Sequence, residues 1–347
     1  MDKDALRDKT IRSKSAEYSV HNLIGAGRFS RVYRATDTAT GNAVVIKVLN
    51  SVNMEEHLRC SLYMQELSLL NRLKSSPVRE RYVDLRDVIQ LNTGVICFVM
   101  EMLGATLHAV MCNVGTLPLS VCRLIVRQIA QGLAGLKVMG IVHADLKPDN
   151  IMFCPGTVNN HRVKIIDFGW AFYAKDAHTM YNQKIQAIPY RASEVCFRGN
   201  LGHGLDLWSL GCIMPEIITG AKLFDATKEE QLVKLFIRTL DVPDFLISIT
   251  EKQKVREEIK PSVGWIRFQD FKMGTYDRLR DPQKTKDIAW FVDLVYKMLK
   301  VMPYDRITAA DALSHPFLTM LHFIDYPHTA MTRRNMEIMK KCALQEI

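Results

Sequence analysis

Apolar positions in this chain follow two different periods, and the change comes near Gly104. Over residues 18–49, short apolar runs alternate with polar residues and are broken by glycine and threonine. That is the pattern of a β-meander, whose strands turn successive side chains to opposite faces. Residues 54–73 place Leu58, Leu62, Leu69, Leu70 and Leu73 at helical spacing, predicting one helix embedded among the strands. Residues 88–100 predict two further strands joined by a turn at Asn92-Thr93-Gly94. Past Gly104 the spacing becomes helical. Leu124, Ile125, Ile129, Leu133 and Leu136 mark a long amphipathic helix with Ser120 as its cap. Further helices are expected at about residues 206–219, 228–240, 287–299 and 308–313. Residues 251–281 are polar and irregular and read as a long insert, and residues 1–16 lack any period and read as a flexible tail. The pattern predicts an α+β chain with a small strand-rich lobe at about 17–103 and a larger helical lobe at about 104–318. A cleft between such lobes is a common place for a ligand. Residues 319–347 remain as a C-terminal extension.

Composition narrows this picture without changing it. The chain has 347 residues, enough to bury a sizeable core, and is 48% apolar and 24% charged. Its net charge of +9 is spread thinly, with no arginine-rich run and no aromatic-basic interleaving, so specific nucleic-acid binding is not expected. The eight cysteines lie far apart and form no Cys-x-x-Cys pair, which argues against zinc and against a disulfide framework. Met1-Asp2-Lys3-Asp4 is charged and no apolar run approaches the roughly 18 residues that span a bilayer. The expectation is a soluble intracellular protein without a membrane partner.

The chemistry is concentrated in His143-Ala144-Asp145-Leu146-Lys147-Pro148-Asp149-Asn150, which sets a carboxylate, an ammonium and an amide on one short loop. Asp167-Phe168-Gly169 follows seventeen residues after Asn150, delivered by the strand-like Val163-Lys164-Ile165-Ile166. Phosphoryl transfer from ATP asks a protein for positioning and charge neutralisation rather than covalent chemistry. In that chemistry Asp145 accepts the proton of an incoming hydroxyl, Lys147 steadies the moving phosphoryl group, and Asn150 with Asp167 holds magnesium. An Asp-Leu-Lys tripeptide alone is surface noise; the spacing makes it specific.

Three other segments fit the same substrate. Gly25-Ala26-Gly27-Arg28-Phe29-Ser30, followed by Val32, lies in the first hairpin, where glycine lets the backbone approach phosphates. Gly-x-Gly by itself is an ordinary hairpin turn, but Val44-Val45-Ile46-Lys47 follows, and Lys47 supplies a cation for the α and β phosphates. Glu66, near the middle of the predicted helix, is the anion that holds it. Finally, Met100, Glu101 and Leu103 lie where a buried strand runs into a linker, offering an adenine ring apolar walls and backbone hydrogen bonds, with Met100 at the rear.

These residues resemble a eukaryotic protein kinase domain over roughly residues 18–317. Pro189-Tyr190-Arg191-Ala192-Ser193-Glu194, Asp206-Leu207-Trp208-Ser209-Leu210-Gly211-Cys212 and Arg306-Ile307-Thr308-Ala309 with His315-Pro316-Phe317 are similar to signatures of the CMGC group. Ala144 between His143 and Asp145, the run into Asp167-Phe168-Gly169, and the tail beginning Leu321-His322-Phe323-Ile324 with Asn335-Met336-Glu337-Ile338 look most like homeodomain-interacting protein kinases. The resemblance implies a bilobal kinase using ATP and Mg2+ on serine or threonine, favouring proline after the target. It also implies tyrosine phosphorylation on itself, protein substrates that include transcription regulators, and a nuclear or cytoplasmic location. A buried ion pair between Glu194 and Arg306 is implied as well.

Departures from the family pattern cluster in the activation segment. Ala144 removes the arginine that clamps an activation-loop phosphate in many kinases, and Lys184 stands where relatives carry their regulatory tyrosine. Ala187 stands where relatives have a hydroxyl linking the catalytic aspartate and lysine; Ile188 and Pro189 replace an arginine-aromatic pair, and Trp170 is a bulky residue after Gly169. The rival expectation is therefore a pseudokinase: a nucleotide-binding scaffold whose peptide platform has eroded.

Overall fold

Strands dominate the first of two units, which runs to Gly104 and also takes in Asp167–Gly169. The computed structural model describes residues 6–27, 30–49, 56–91, 94–156, 161–278, 281–324 and 329–343. Arg28, Phe29, Asn92, Thr93 and residues 325–328 lie outside these, as do the side chains of Leu58 and Leu62.

The first unit contains β1 (Thr10–Arg12), β2 (Glu17–Ala26), β3 (Ser30–Asp37), β4 (Ala43–Leu49), α1 (Glu56–Leu73), β5 (Leu85–Gln90) and β6 (Ile96–Glu101). The strands form one antiparallel sheet in the order β1-β2-β3-β4-β6-β5. The alternation predicted for residues 18–49 is realised, with Tyr18, Val20, Tyr33, Ala35, Val44 and Ile46 buried on one face. Gly94, the last residue of the expected turn, takes a φ of +77°. One expectation fails. Residues 10–12 do not belong to an irregular tail but pair with Glu17, Tyr18 and Ser19 as β1, and Ile11 is buried in the sheet's core. A three-residue strand with a single apolar side chain is too short to display a period.

The second unit comprises Ala105–Ile166 and Trp170–Ile347. It begins with α2 (Leu107–Val114) and α3 (Leu119–Val138), followed by β7 (Ile141–Val142), β8 (Ile151–Phe153), β9 (Val163–Ile165) and β10 (Phe172–Tyr173). These strands form two small antiparallel pairs, β7 with β10 and β8 with β9. Next come α4 (Ser193–Cys196), α5 (Gly204–Thr219), α6 (Glu229–Thr239), α7 (Ile249–Glu258), α8 (Val263–Arg278) and α9 (Pro282–Met298). Last are α10 (Ala309–Leu313), α11 (Pro316–Thr319) and α12 (Ala330–Ala343).

α5 is buried from Leu205 to Ile217, its polar Asp206, Ser209 and Glu216 included, and runs through the core of this unit. Among the described residues no helix is long and apolar enough to cross a membrane.

Two expectations need correction here. Ser120 does not cap α3; Pro118 does, its carbonyl accepting from Val121 N and Cys122 N, while Ser120 falls inside the first turn. The segment 251–281 is not irregular but carries most of α7 and α8. Ser248 caps α7 by accepting from Glu251 N at 3.3 Å. α8 is anchored by Trp265 and Phe268, which join an aromatic cluster with Phe224, Phe236, Phe291 and Trp208. α7 has few apolar residues among many charges and so no visible helical period, whereas Trp265, Phe268 and Phe271 of α8 stand at helical spacing.

The C-terminal extension is part of this packing. Buried Arg123 on α3 donates to Asn335 Oδ1 on α12 and to the Phe317 carbonyl, both at 2.7 Å, and pairs with Asp287 on α9.

Candidate active site

In the first unit the β2–β3 hairpin presents Gly25 opposite Val32 and Ala26 opposite Arg31, with Gly27 N donating to Ser30 O at 2.8 Å. Neither glycine has a positive φ, and a Cβ on either would make only ordinary contacts with the described residues. Among the described residues nothing in the hairpin demands glycine, so its use there fits a close approach of phosphate oxygens to backbone N–H groups. Arg28 and Phe29, expected at the tip, lie outside the described residues.

Register places Lys47 of β4 beside Val32 of β3 and Phe98 of β6. Its ammonium donates to Glu66 Oε1 on α1 at 2.7 Å and to Asp167 Oδ1 at 2.8 Å. Lys47 and Glu66 are buried, whereas the Asp167 side chain is 45% exposed. Burial alone would depress the Lys47 ammonium, but the two carboxylates outweigh it and hold Lys47 well above the usual lysine range. The result is a permanently charged cation anchored from behind, with an open carboxylate beside it. Asp167 itself has a φ of +61°, and the following Phe168 is buried edge-on against Tyr82, with ring centroids 6.1 Å apart. Met100 and Glu101 end β6, and Leu103 is buried just beyond it. Glu101 Oε1 accepts from Asp84 N at 2.7 Å, which ties down the start of the linker.

In the second unit the loop after β7 carries Asp145, Lys147 and Asn150. Three donors converge on the Asp145 carboxylate: Lys147 Nζ at 2.7 Å and Asn150 Nδ2 at 3.1 Å on Oδ2, and Ala187 N at 3.2 Å on Oδ1. Asn150 Nδ2 also donates to the Asp145 carbonyl at 2.8 Å. With the amide nitrogen committed to Asp145, the carbonyl oxygen of Asn150 is the atom suited to a cation. Among the described residues no group of three or more His, Cys, Asp or Glu side chains could hold a metal ion alone. Magnesium does not need one, because it keeps water and substrate phosphate oxygens and takes one or two protein ligands.

The loop's shape is imposed from below. Buried Asp206 on α5 accepts from His143 N at 2.8 Å and from Ala144 N at 2.9 Å. Burial pushes the Asp206 carboxyl up, and these backbone donors work against that. His143 Nε2 bonds the Ile166 carbonyl at 2.9 Å, linking the loop to the strand that delivers Asp167. Ala144 is held at φ +59°, a left-handed conformation that only a cluster of fixed bonds maintains in a residue with a side chain.

The activation segment is held by bonds that the sequence pattern did not specify, and by one ion pair that it did. Gln186, at φ +59°, is buried and donates through Nε2 to Ser209 Oγ at 2.9 Å and Leu205 O at 3.1 Å. Its Oε1 accepts from Ala192 N at 2.9 Å. Tyr190 OH donates to Glu216 Oε2 at 2.8 Å. Arg306 and Glu194 form the expected pair, two parallel bonds of 2.7 and 2.8 Å with both side chains essentially fully buried. Lys184 is exposed, and Tyr181 is exposed with its hydroxyl 3.4 Å from Asn200 Oδ1.

Residues 18–318 match the protein kinase domain family. Among curated relatives, homeodomain-interacting protein kinase 2 of Mus musculus is 28% identical over 98% of this chain and 31% of its own length. DYRK-family kinase pom1 of Schizosaccharomyces pombe is 29% identical over 91% of this chain and 29% of its own length. The probable dual specificity protein kinase YAK1 homolog of Encephalitozoon cuniculi is 33% identical over 62% of this chain and 51% of its own length. The chain spans about a third of the length of the first of these.

Proposed function

Because the chain belongs to the protein kinase family, we propose that it is an active enzyme that transfers the γ-phosphoryl group of Mg·ATP to serine or threonine hydroxyls of protein substrates, with proline favoured after the target. Asp145 accepts the proton of the attacking hydroxyl, and Lys147 neutralises charge on the transferred group. Lys47, steadied by Glu66, binds the α and β phosphates, and Asp167 and Asn150 hold magnesium, which neutralises the phosphate charge. The hairpin of Gly25, Ala26, Gly27, Ser30 and Val32 covers the phosphates, and Met100, Glu101 and Leu103 receive the adenine.

The observation that carries this reading is the buried Lys47–Glu66 pair with Asp167 on its open side. Burying an ion pair costs desolvation, and apolar residues of similar volume commonly serve a fold as well or better. A scaffold that binds no nucleotide gains nothing from such a pair, whereas a phosphate-binding site requires it; a scaffold that only binds nucleotide has no use for Lys147 and Asn150 converging on the Asp145 carboxylate. The rival scaffold reading rested on departures such as Ala187, yet the Ala187 backbone N–H reaches Asp145 without a hydroxyl. The mouse relatives are named for interacting with homeodomains, and we extend that to this chain as a proposed class of protein partner, transcription regulators among them.

Incubation with labelled ATP, magnesium and peptides carrying Ser-Pro, Ser-Ala or Tyr-Pro tests the reading. Label on Ser-Pro above Ser-Ala and absent from Tyr-Pro is expected. Equal labelling of the two serine peptides would remove the proline preference, and no labelling of any peptide would favour the scaffold.

A further inference from the structure

Arg191 is buried, and each of its three guanidinium nitrogens has a partner. Nε donates to the Ile185 carbonyl at 3.1 Å, Nη2 to the Gln186 carbonyl at 2.9 Å, and Nη1 to Glu229 Oε2 at 2.6 Å. Glu229 opens α6, 38 residues further along the chain, and its side chain is 45% exposed.

The Gln186 carbonyl and the Ala187 N–H belong to one peptide group. No described peptide bond is cis, so the two point in opposite directions across a rigid plane. Arg191 holds the oxygen end of that plane, and the N–H end donates to Asp145 Oδ1 at 3.2 Å. Fixing one end aims the other. The left-handed φ of Gln186 is what turns the plane this way, and the Gln186 N–H to Ala144 carbonyl bond of 3.0 Å holds the second side of the turn.

We infer that Glu229 is a positioning residue for the phosphoryl-transfer step, acting through Arg191 and the 186–187 peptide on the carboxylate of Asp145. The inference rests on the reading of Asp145 as the proton acceptor. A carboxylate supplied by α6 does here, without modification, the work of holding the activation-segment arginine. The neighbouring Lys184 is exposed and of the wrong charge to do so. Ala187 contributes only its backbone, so the aim of that peptide group is what fixes its bond to Asp145.

The test is steady-state kinetics on purified wild type, Glu229→Ala, Glu229→Asp and Glu230→Ala, with amide hydrogen exchange at Ala187. Glu230 is exposed on the same helical turn and controls for loss of a negative charge near the helix start. Glu229→Ala is expected to lower kcat about tenfold, equivalent to about 1.4 kcal/mol of barrier. Its KM for ATP and its melting temperature should stay near wild type, and exchange at Ala187 should quicken. Glu229→Asp should recover most of the rate, and Glu230→Ala should behave as wild type. An active wild type with unchanged kcat and unchanged Ala187 exchange in Glu229→Ala overturns the inference alone. A wild type that transfers no phosphate overturns the reading beneath it as well. A uniform fall in melting temperature with kcat preserved would assign Glu229 to stability and likewise overturn the inference.

Discussion

Arg306→Ala removes a guanidinium whose donors reach Glu194 twice and also the carbonyls of Gly204 at 2.7 Å and Lys300 at 3.0 Å. It also lies over the Trp208 ring, 5.0 Å from the centroid. Both charged side chains are at most 1% exposed. After truncation the Glu194 carboxylate stays buried with Ser193 Oγ, 3.2 Å away, as a remaining hydroxyl neighbour. Stranding one member of a buried pair costs about 3–5 kcal/mol, a large part of the roughly 5–15 kcal/mol that stabilises a domain. At about 2–4 °C per kcal/mol, the melting temperature should fall by about 6–20 °C. Glu194→Leu combined with Arg306→Met should regain much of the loss, because no charge is then stranded. Calorimetry on the two variants, supported by urea titration to check that the denaturant slope is unchanged, measures this. A single variant melting within about 2 °C of wild type would refute the argument, since that is less than about 1 kcal/mol. A double variant no better than the single would show that lost packing, not stranded charge, sets the cost.

Three further outcomes are expected. Lys47→Arg should lose more than about tenfold in activity with little change in melting temperature, because a planar guanidinium cannot replace a point ammonium shared between Glu66 and Asp167; near-normal transfer would remove Lys47 from the site. Burial raises the Glu216 carboxyl to about 7, the hydrogen bond from Tyr190 opposing it, so the folded chain binds more protons than the unfolded chain from about pH 4.5 to 7. That contribution to stability is lost as pH rises through this window and is level above it, a change on the order of 3 kcal/mol; urea midpoints at about pH 5 and 8 should differ less in Glu216→Gln than in wild type. Treatment with a broad phosphatase, then its removal, should leave activity unchanged, since Lys184 offers no phosphate; loss that ATP restores and Tyr181→Phe blocks would show that the regulatory tyrosine has moved to Tyr181.

Much of this molecule is legible from local sequence because its constraints are local. β2, β3 and β4 each bury alternate side chains, and the turns between them are short, so period alone finds them. The loop around Asp145 is legible for a different reason: a carboxylate, an ammonium and an amide, the groups that phosphoryl transfer asks for, fall within one short stretch. What stayed hidden acts through the backbone or across long separations. The Ala187 N–H that reaches Asp145 is a donor every residue but proline carries, so its residue type conveys nothing. Glu229 meets Arg191 only because α6 packs near the activation segment, and neither residue's neighbours in sequence foretell it. β1 lacks a period because Ile11 is an isolated apolar anchor, and α7 because its residues are mostly charged; α8, with Trp265, Ile266, Phe268 and Phe271, does carry a helical spacing. The left-handed φ of Gln186 and Ala144 has no sequence signal in residues other than glycine and asparagine.

On the proposed reading, Asp145 works in phosphoryl transfer while Asp167 works in binding the metal-bound nucleotide. Single-turnover transfer from labelled ATP to a serine peptide, paired with calorimetric titration of Mg·ATP, tests it on wild type, Asp145→Asn and Asp167→Asn. Wild type should transfer label and bind Mg·ATP. Asp145→Asn should bind with similar affinity and transfer little, and Asp167→Asn should fail in both. Transfer by Asp145→Asn at the wild-type rate, or equal Mg·ATP affinity in the two variants, would contradict it.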